Sequence, residues 1–104
     1  MTAAETIQQC KAVLQSSYQS QFQGLILFGS MARNQGGPAS DIDLLVLLSQ
    51  PFDYFEELRR IVELLYPIQL ESEHLISAKP ARSEDFAQGA VQLYRNAKRE
   101  GIAV

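Results

Sequence analysis

Two acidic residues separated by one position, Asp41 and Asp43, open an apolar run that ends near Leu48. Residues two apart in a β-strand point to the same face, so the two carboxylates would lie roughly 6–7 Å apart. Carboxylates this close repel each other unless a cation lies between them. Mg²⁺ suits such a pair, because it is usually held by one or two carboxylates together with substrate phosphates. We therefore predict a metal site at Asp41 and Asp43.

A glycine–serine pair, Gly29-Ser30, follows the short apolar run 25–28 and precedes residues that can form a helical turn. Backbone N–H groups at the start of a helix attract phosphate, and glycine lets the ligand approach closely. The Ser30 hydroxyl can donate to a phosphate oxygen. Arg33, about one turn further on, can reach a phosphate or a carboxylate. These three residues are the predicted phosphate-binding group.

Each of these features has a commoner explanation when it stands alone. A Gly-Ser pair is often a simple turn, an Asp-x-Asp pair is often a solvated strand end, and a single arginine is usually a surface charge. Here the turn directly follows one apolar strand and the acidic pair opens the next. Charge at the start of an apolar strand is costly unless something pairs with it. The combination therefore favours a site for a polyphosphate and a metal.

Hydrophobic periodicity and the positions of glycine and proline predict the order helix, strand, strand, helix, strand, helix. The predicted elements are a helix at 5–18, strands at 25–28 and 41–48, a helix from 53 to 67, one or two strands within 68–79, and a helix from 83 to 100. Pro67 and Pro80 are expected to end the second helix and the last strand. The tail 102–104 could dock or add an edge strand. This order predicts a single α/β (α+β) domain, residues 1–104, with a small sheet.

The composition limits the class of protein. Of the 104 residues, 46% are hydrophobic and 20% are charged, as is ordinary for a soluble globular protein. The net charge of −3 implies no broad basic surface, so we expect no binding of free nucleic acid. No apolar stretch is long enough to span a membrane, and the first residues do not resemble a signal peptide, so we expect a cytoplasmic protein. The one cysteine, Cys10, lies on the apolar side of the first helix and is expected to pack in the core.

The sequence resembles the DNA-polymerase-β-like nucleotidyltransferase superfamily. The resemblance rests on Gly29-Ser30, ten intervening residues and then Asp41-Ile42-Asp43. The wording around these motifs is close to that of the minimal nucleotidyltransferases. The resemblance implies a twisted mixed sheet flanked by helices, ATP and Mg²⁺ as ligands, and transfer of a nucleoside monophosphate to a hydroxyl with release of pyrophosphate. It implies that Gly29 and Ser30 hold the triphosphate, and that Asp41 and Asp43 ligate the metal and carry catalysis.

The resemblance also implies a partner. Minimal nucleotidyltransferases often pair with a helical HEPN protein as the antitoxin of a toxin–antitoxin system, and some transfer AMP to a tyrosine of the toxin. Three functions stay open: AMP transfer to a partner protein, neutralisation of a partner by binding alone, and, as the weakest, modification of a small molecule. A homo- or hetero-oligomer is compatible with each.

A third carboxylate is usual in this superfamily, on the strand beside the Asp-x-Asp strand, where it helps to bind metal and can act as a base. The corresponding segment, expected within 74–79, contains no Asp or Glu. Glu71 and Glu73 lie just upstream and could serve if the register differs. His74, the only histidine, could act as a general base, and Lys79 could contact a phosphate, but a packing or surface role is more common for each.

Overall fold

The computed structural model describes the whole chain, residues 1–104. The helices are α1 (Ala3–Tyr18), α2 (Gly29–Ala32), α3 (Tyr54–Glu71), α4 (Ser83–Gln88) and α5 (Gln92–Glu100), with a 3₁₀ turn at Gln19–Gln21 after α1. The strands are β1 (Phe22–Phe28), β2 (Ile42–Leu48), β3 (Ile76–Arg82) and β4 (Ile102–Ala103). None of the helices combines the length and hydrophobicity that crossing a lipid bilayer requires.

The four strands form one mixed sheet in the order β3-β2-β1-β4. Strand β1 is antiparallel to β2 and to β4, whereas β2 and β3 run parallel. The predicted α/β (α+β) class, with a small mixed sheet flanked by helices, is confirmed. The C-terminal tail adds an edge strand, because Ile102 and Ala103 pair with Leu27 and Ile26.

The central strand β2 is buried on both faces from Leu44 to Leu48. Its even-numbered residues join the main core under α1 and α3, and Leu45 and Leu47 join a smaller cluster under α4 and α5. This alternation follows from the period of two in a strand. The predicted core position of Cys10 is confirmed, since the side chain is fully buried, and burial raises the pKa of its thiol to about 11.

The prediction that Pro67 ends the second helix is wrong, because α3 continues to Glu71. A proline inside a helix removes one N–H and therefore one hydrogen bond, here to the carbonyl of Glu63. Glu63 and Pro67 are both exposed, so water can solvate that carbonyl. Ile68, directly after the proline, is buried in the main core and stabilises the last turn.

Strand β3 likewise runs through Pro80 to Arg82, so the prediction that Pro80 ends this strand is wrong. The strand lies at the edge of the sheet. A proline is tolerated there when its missing N–H faces away from the neighbouring strand.

The prediction of one final helix from 83 to 100 is wrong, because this segment forms two helices, α4 and α5. Gly89 adopts the left-handed conformation, with φ +64°, directly after α4. Its N–H donates to Phe86 O and that of Ala90 donates to Asp85 O, which closes the helix in a common C-terminal motif. The chain then turns, and α5 packs Leu93 and Ala97 against the smaller cluster.

Candidate active site

The Gly-Ser turn and the Asp-x-Asp pair meet at one end of the β1–β2 hairpin. Phe28, the last residue of β1, pairs with Asp43, and Gly29 follows as the first residue of α2. Gly29 has φ +74°, a conformation that L side chains rarely adopt. A Cβ on Gly29 would also clash with Oδ2 of Asp43 and lie 3.2 Å from its Cγ. Glycine is therefore required here both by the backbone turn and by the carboxylate that lies against it.

No ion pair within the protein neutralises the two acidic side chains of this site. Asp43 is partly buried, Asp41 is exposed, and neither takes part in an ion pair. Burial raises the pKa of Asp43, the charge of Asp41 raises it further, and Lys79 partly opposes both effects. A cation bound between the carboxylates would relieve this repulsion, so the donor set fits Mg²⁺.

Ser30 is the second residue of α2 and is partly buried beside this pair. The first N–H groups of a helix have no acceptor within that helix and are available to a ligand. Phe28 is extended and the chain turns into α2 at Gly29, as the sequence predicts. The structure thus brings Gly29, Ser30 and Asp43 together at one end of the sheet, with Asp41 two residues before Asp43.

Arg33, the third predicted phosphate-binding residue, is directed elsewhere. It caps the C-terminus of α2, and its guanidinium lies 3.4 Å from Oε2 of Glu100 in α5 and 3.3 Å from Oε1 of Gln35. Arg33 and Glu100 line one cavity of about 150 Å³ together with Gly29. The guanidinium is therefore near the Gly-Ser turn but paired with a carboxylate of the protein, and its contact with a nucleotide stays a prediction.

The place beside Asp43 on the neighbouring strand is occupied by Ser77. In the parallel register of β2 and β3, Asp43 pairs with Ser77 and Leu45 pairs with Lys79. Strand β3 contains no Asp or Glu, as expected. Lys79 is two residues beyond the position of closest approach. Sequence reasoning missed Ser77, because the register of two parallel strands cannot be read from either strand alone.

The upstream acids do not complete the site. Glu71 ends α3 and Glu73 lies in the connection before β3, and both are exposed. No group of three or more Asp, Glu, His or Cys side chains in the chain could hold a metal ion. The acidic part of the candidate site therefore consists of Asp41 and Asp43.

Comparisons with known proteins identify the family of this chain. A family model described as a nucleotidyltransferase domain matches residues 7–102. A relative from Methanocaldococcus jannaschii, described as a "putative protein adenylyltransferase", is 34% identical over 83 residues, which are 76% of this chain and 83% of the relative. The crystal structure of a "putative nucleotidyltransferase" from Sulfolobus solfataricus matches with a TM-score of 0.65, 14% identity, and coverage of 95% of this chain and 76% of that one. The chain therefore belongs to the nucleotidyltransferase domain family of the DNA-polymerase-β-like superfamily.

Proposed function

We propose that this nucleotidyltransferase transfers AMP from ATP to a hydroxyl of a partner protein, and that it acts as the antitoxin of a HEPN-type toxin. The family supplies the reaction class, and the relative described as a protein adenylyltransferase supports AMP as the transferred group and a protein as the acceptor. The observation that carries the proposal is the close approach of the Asp43 carboxylate to Gly29, which leaves no room for a side chain on Gly29. This approach supports a site in which N–H groups that donate hydrogen bonds to phosphate lie next to carboxylates that bind a metal.

Each residue of the site has a role in this reaction. The N–H groups at the start of α2 and the Ser30 hydroxyl bind the triphosphate. Asp41 and Asp43 would hold Mg²⁺, and the bound metal would supply charge neutralisation on the phosphates. The acceptor oxygen forms a bond to the α-phosphorus, the bond to the β-phosphate oxygen breaks, and pyrophosphate leaves. Positioning of the two reactants accounts for much of the rate in such reactions.

The acceptor hydroxyl must also lose a proton. Ser77 takes the place beside Asp43 where the superfamily usually has a carboxylate, and a serine hydroxyl is a poor base at neutral pH. We infer that the partner supplies the group that accepts this proton as well as the acceptor hydroxyl. The enzyme would then be active only in the complex.

The presence of Ser77 where the superfamily usually has a carboxylate also favours one alternative function, neutralisation of the partner by binding alone. A nucleotidyltransferase without the third carboxylate could keep the fold and its affinity for nucleotide while transferring nothing. In that case the complex would form and inhibit the partner whether or not Asp41 and Asp43 are present.

Labelled ATP distinguishes the two functions. The protein is incubated with Mg²⁺, ATP labelled at the α-phosphate, and the protein encoded next to it. We expect label on that partner, and a loss of at least about 1,000-fold in rate for Asp43→Asn or Asp41→Asn, since a bound metal is worth several kcal/mol of transition-state stabilisation. Asp85→Asn, which removes one carboxylate from α4, is the matched control and should keep full activity.

Two results would contradict the proposal. An unlabelled partner in a tight complex that Asp43→Asn does not weaken would establish the binding function instead. Calorimetric titrations with ATP and Mg²⁺ that are identical for the wild type and for Ser30→Ala/Asp41→Asn would show that these residues do not form a nucleotide site.

A further inference from the structure

The only histidine of the chain connects the segment before β3 to the segment before β2. Nδ1 of His74 lies 2.8 Å from the backbone carbonyl oxygen of Ser40. A carbonyl oxygen can only accept, so Nδ1 carries the proton and donates it. In the neutral ring this bond fixes the tautomer and leaves Nε2 as an acceptor. Ser40 is the residue directly before Asp41.

The backbone around Asp41 is anchored from one side of the sheet. The N–H of Ile42 donates to the carbonyl of Leu75 at 2.8 Å, which is the first bond between the two parallel strands. The bond from the His74 side chain to Ser40 joins the same two segments two residues before each strand begins. The antiparallel pairing with β1 ends at Asp43 and does not reach Asp41. Asp41 therefore lies between two fixed groups, Ser40 O and Ile42 N, and both are held from the β3 side.

His74 is itself held in place by the end of α3. Its carbonyl accepts hydrogen bonds from the Ser72 hydroxyl at 2.8 Å and from the Gln69 amide at 3.0 Å. The amide oxygen of Gln69 accepts from the N–H of Ile76 at 2.7 Å, so this side chain also fixes the start of β3. The backbone that carries the imidazole is thus fixed by hydrogen bonds from the end of α3 and the residue after it.

The loop before Asp41 is closed by local hydrogen bonds. Ser40 closes a local turn, in which its hydroxyl accepts from Gly37 N at 2.8 Å and its own N–H donates to Gly37 O at 3.0 Å. Both bonds stay inside the loop. The bond from His74 therefore ties this turn to the segment before β3, on the opposite side of Asp41 from the Ile42–Leu75 bond.

We propose that His74 is a positioning residue, whose Nδ1–H bond to Ser40 aims the Asp41 carboxylate at the metal–nucleotide site. The inference rests on the proposed function, because it takes Asp41 as a metal ligand. His74 touches neither the metal nor the nucleotide in this role. Groups that orient metal ligands commonly contribute 10-fold to 100-fold to metal affinity.

Two amide substitutions test the bond. The side-chain amide of asparagine places an N–H close to the position of Nδ1, whereas that of glutamine places it one bond further out. We expect His74→Asn to bind ATP with Mg²⁺ nearly as the wild type does, and His74→Gln and His74→Ala to bind about 10-fold more weakly in calorimetry. ATP titrated without Mg²⁺ should show little difference between the variants, because Asp41 acts through the metal. Equal affinity in all variants, or equal weakening in His74→Asn and His74→Gln, overturns the inference.

A second measurement needs no substitution and guards against variants that fail to fold. Nitrogen NMR of the wild-type imidazole should show the neutral ring protonated at Nδ1, and a ring protonated at Nε2 overturns the inference. Failure of the proposed function gives a different result, since the wild type would then show no Mg²⁺-dependent ATP binding at all. In that case a role for His74 in aiming a metal ligand falls with it.

Discussion

The two faces of the sheet are built for different tasks. The core face, which packs against α1 and α3, contributes to a cluster of 14 buried apolar residues. The site face, which packs against α4 and α5, contributes to a cluster of only four. Asp43 lies on the site face, on the same side of β2 as Leu45 and Leu47. Most of the apolar burial, and with it most of the stability, therefore lies on the face that has no part in the site.

This difference explains how the sheet tolerates a half-buried, unpaired carboxylate. A charged group that is partly buried destabilises a fold, and this free-energy cost must be offset by apolar burial elsewhere. Strand β2 carries the carboxylate and also contributes to the apolar burial that offsets its cost, because alternate side chains of a strand face opposite layers. The site face can therefore hold groups chosen for binding, while the core face keeps the strand in place.

The largest expected effect on stability comes from truncating neighbouring leucines of β2 that face opposite layers. Leu44 and Leu45 are both fully buried. We expect Leu44→Ala to lower the free energy of unfolding by about 3–5 kcal/mol and Leu45→Ala by about 2–3 kcal/mol, because the smaller cluster can relax around the lost atoms more easily. Chemical denaturation of the two variants measures this. Equal losses, or a larger loss for Leu45→Ala, would break the contrast between the faces.

A smaller effect is expected at the turn on the site face. Gly29→Ala must adopt φ +74° and place a methyl group against Asp43, so we expect a loss of about 1–2 kcal/mol and the loss of nucleotide binding. Gly37→Ala is the matched control, because a Cβ there meets no atom within 4 Å. It should be neutral in denaturation and in ATP titration. An active, equally stable Gly29→Ala protein would mean that the turn does not need glycine.

The smallest effect is a gain. Asp43→Asn should raise the stability of the metal-free protein at pH 7, by less than Gly29→Ala lowers it, because it removes a charge that burial and Asp41 disfavour. The same variant should no longer be stabilised by Mg²⁺ with ATP, whereas the wild type should be. Thermal melts with and without the ligands measure both. A variant that is less stable than the wild type would show that Asp43 is favourably paired in the fold.

The gain should also depend on pH in a definite sense. The pKa of Asp43 is raised in the folded protein above its ordinary value of 3.8, so the folded state binds the proton more readily than the unfolded state. The penalty is therefore complete above the raised pKa, shrinks as the pH falls through it, and is absent below about 3.8. The difference between wild type and Asp43→Asn should disappear on acidification, and a difference that grows there would reverse the sign of the argument.

Much of the candidate site could be predicted from residues close together in the chain. An apolar run followed by Gly-Ser predicts a strand that ends in a tight turn, and Asp-x-Asp at the head of a second run predicts two carboxylates on one face. These features depend on local geometry, and the structure confirms the turn and the strand. The predictions that Pro67 ends a helix and that Pro80 ends a strand are wrong, because the outcome at a proline depends on tertiary contacts and not on local geometry alone. Whether a proline ends an element depends on whether its neighbours are buried or lie at an edge, which the local sequence does not state.

What the sequence by itself determined is therefore the chemistry available: the carboxylate pair, the glycine–serine turn, and the absence of acids from the segment that forms β3. Only the tertiary structure decided which groups stand beside that pair. Ser77 faces Asp43, Arg33 turns to Glu100, and His74 reaches Ser40, because the register of β3 and the packing of α3 and α5 set these positions. Such contacts join residues far apart in the chain, and no local pattern specifies them.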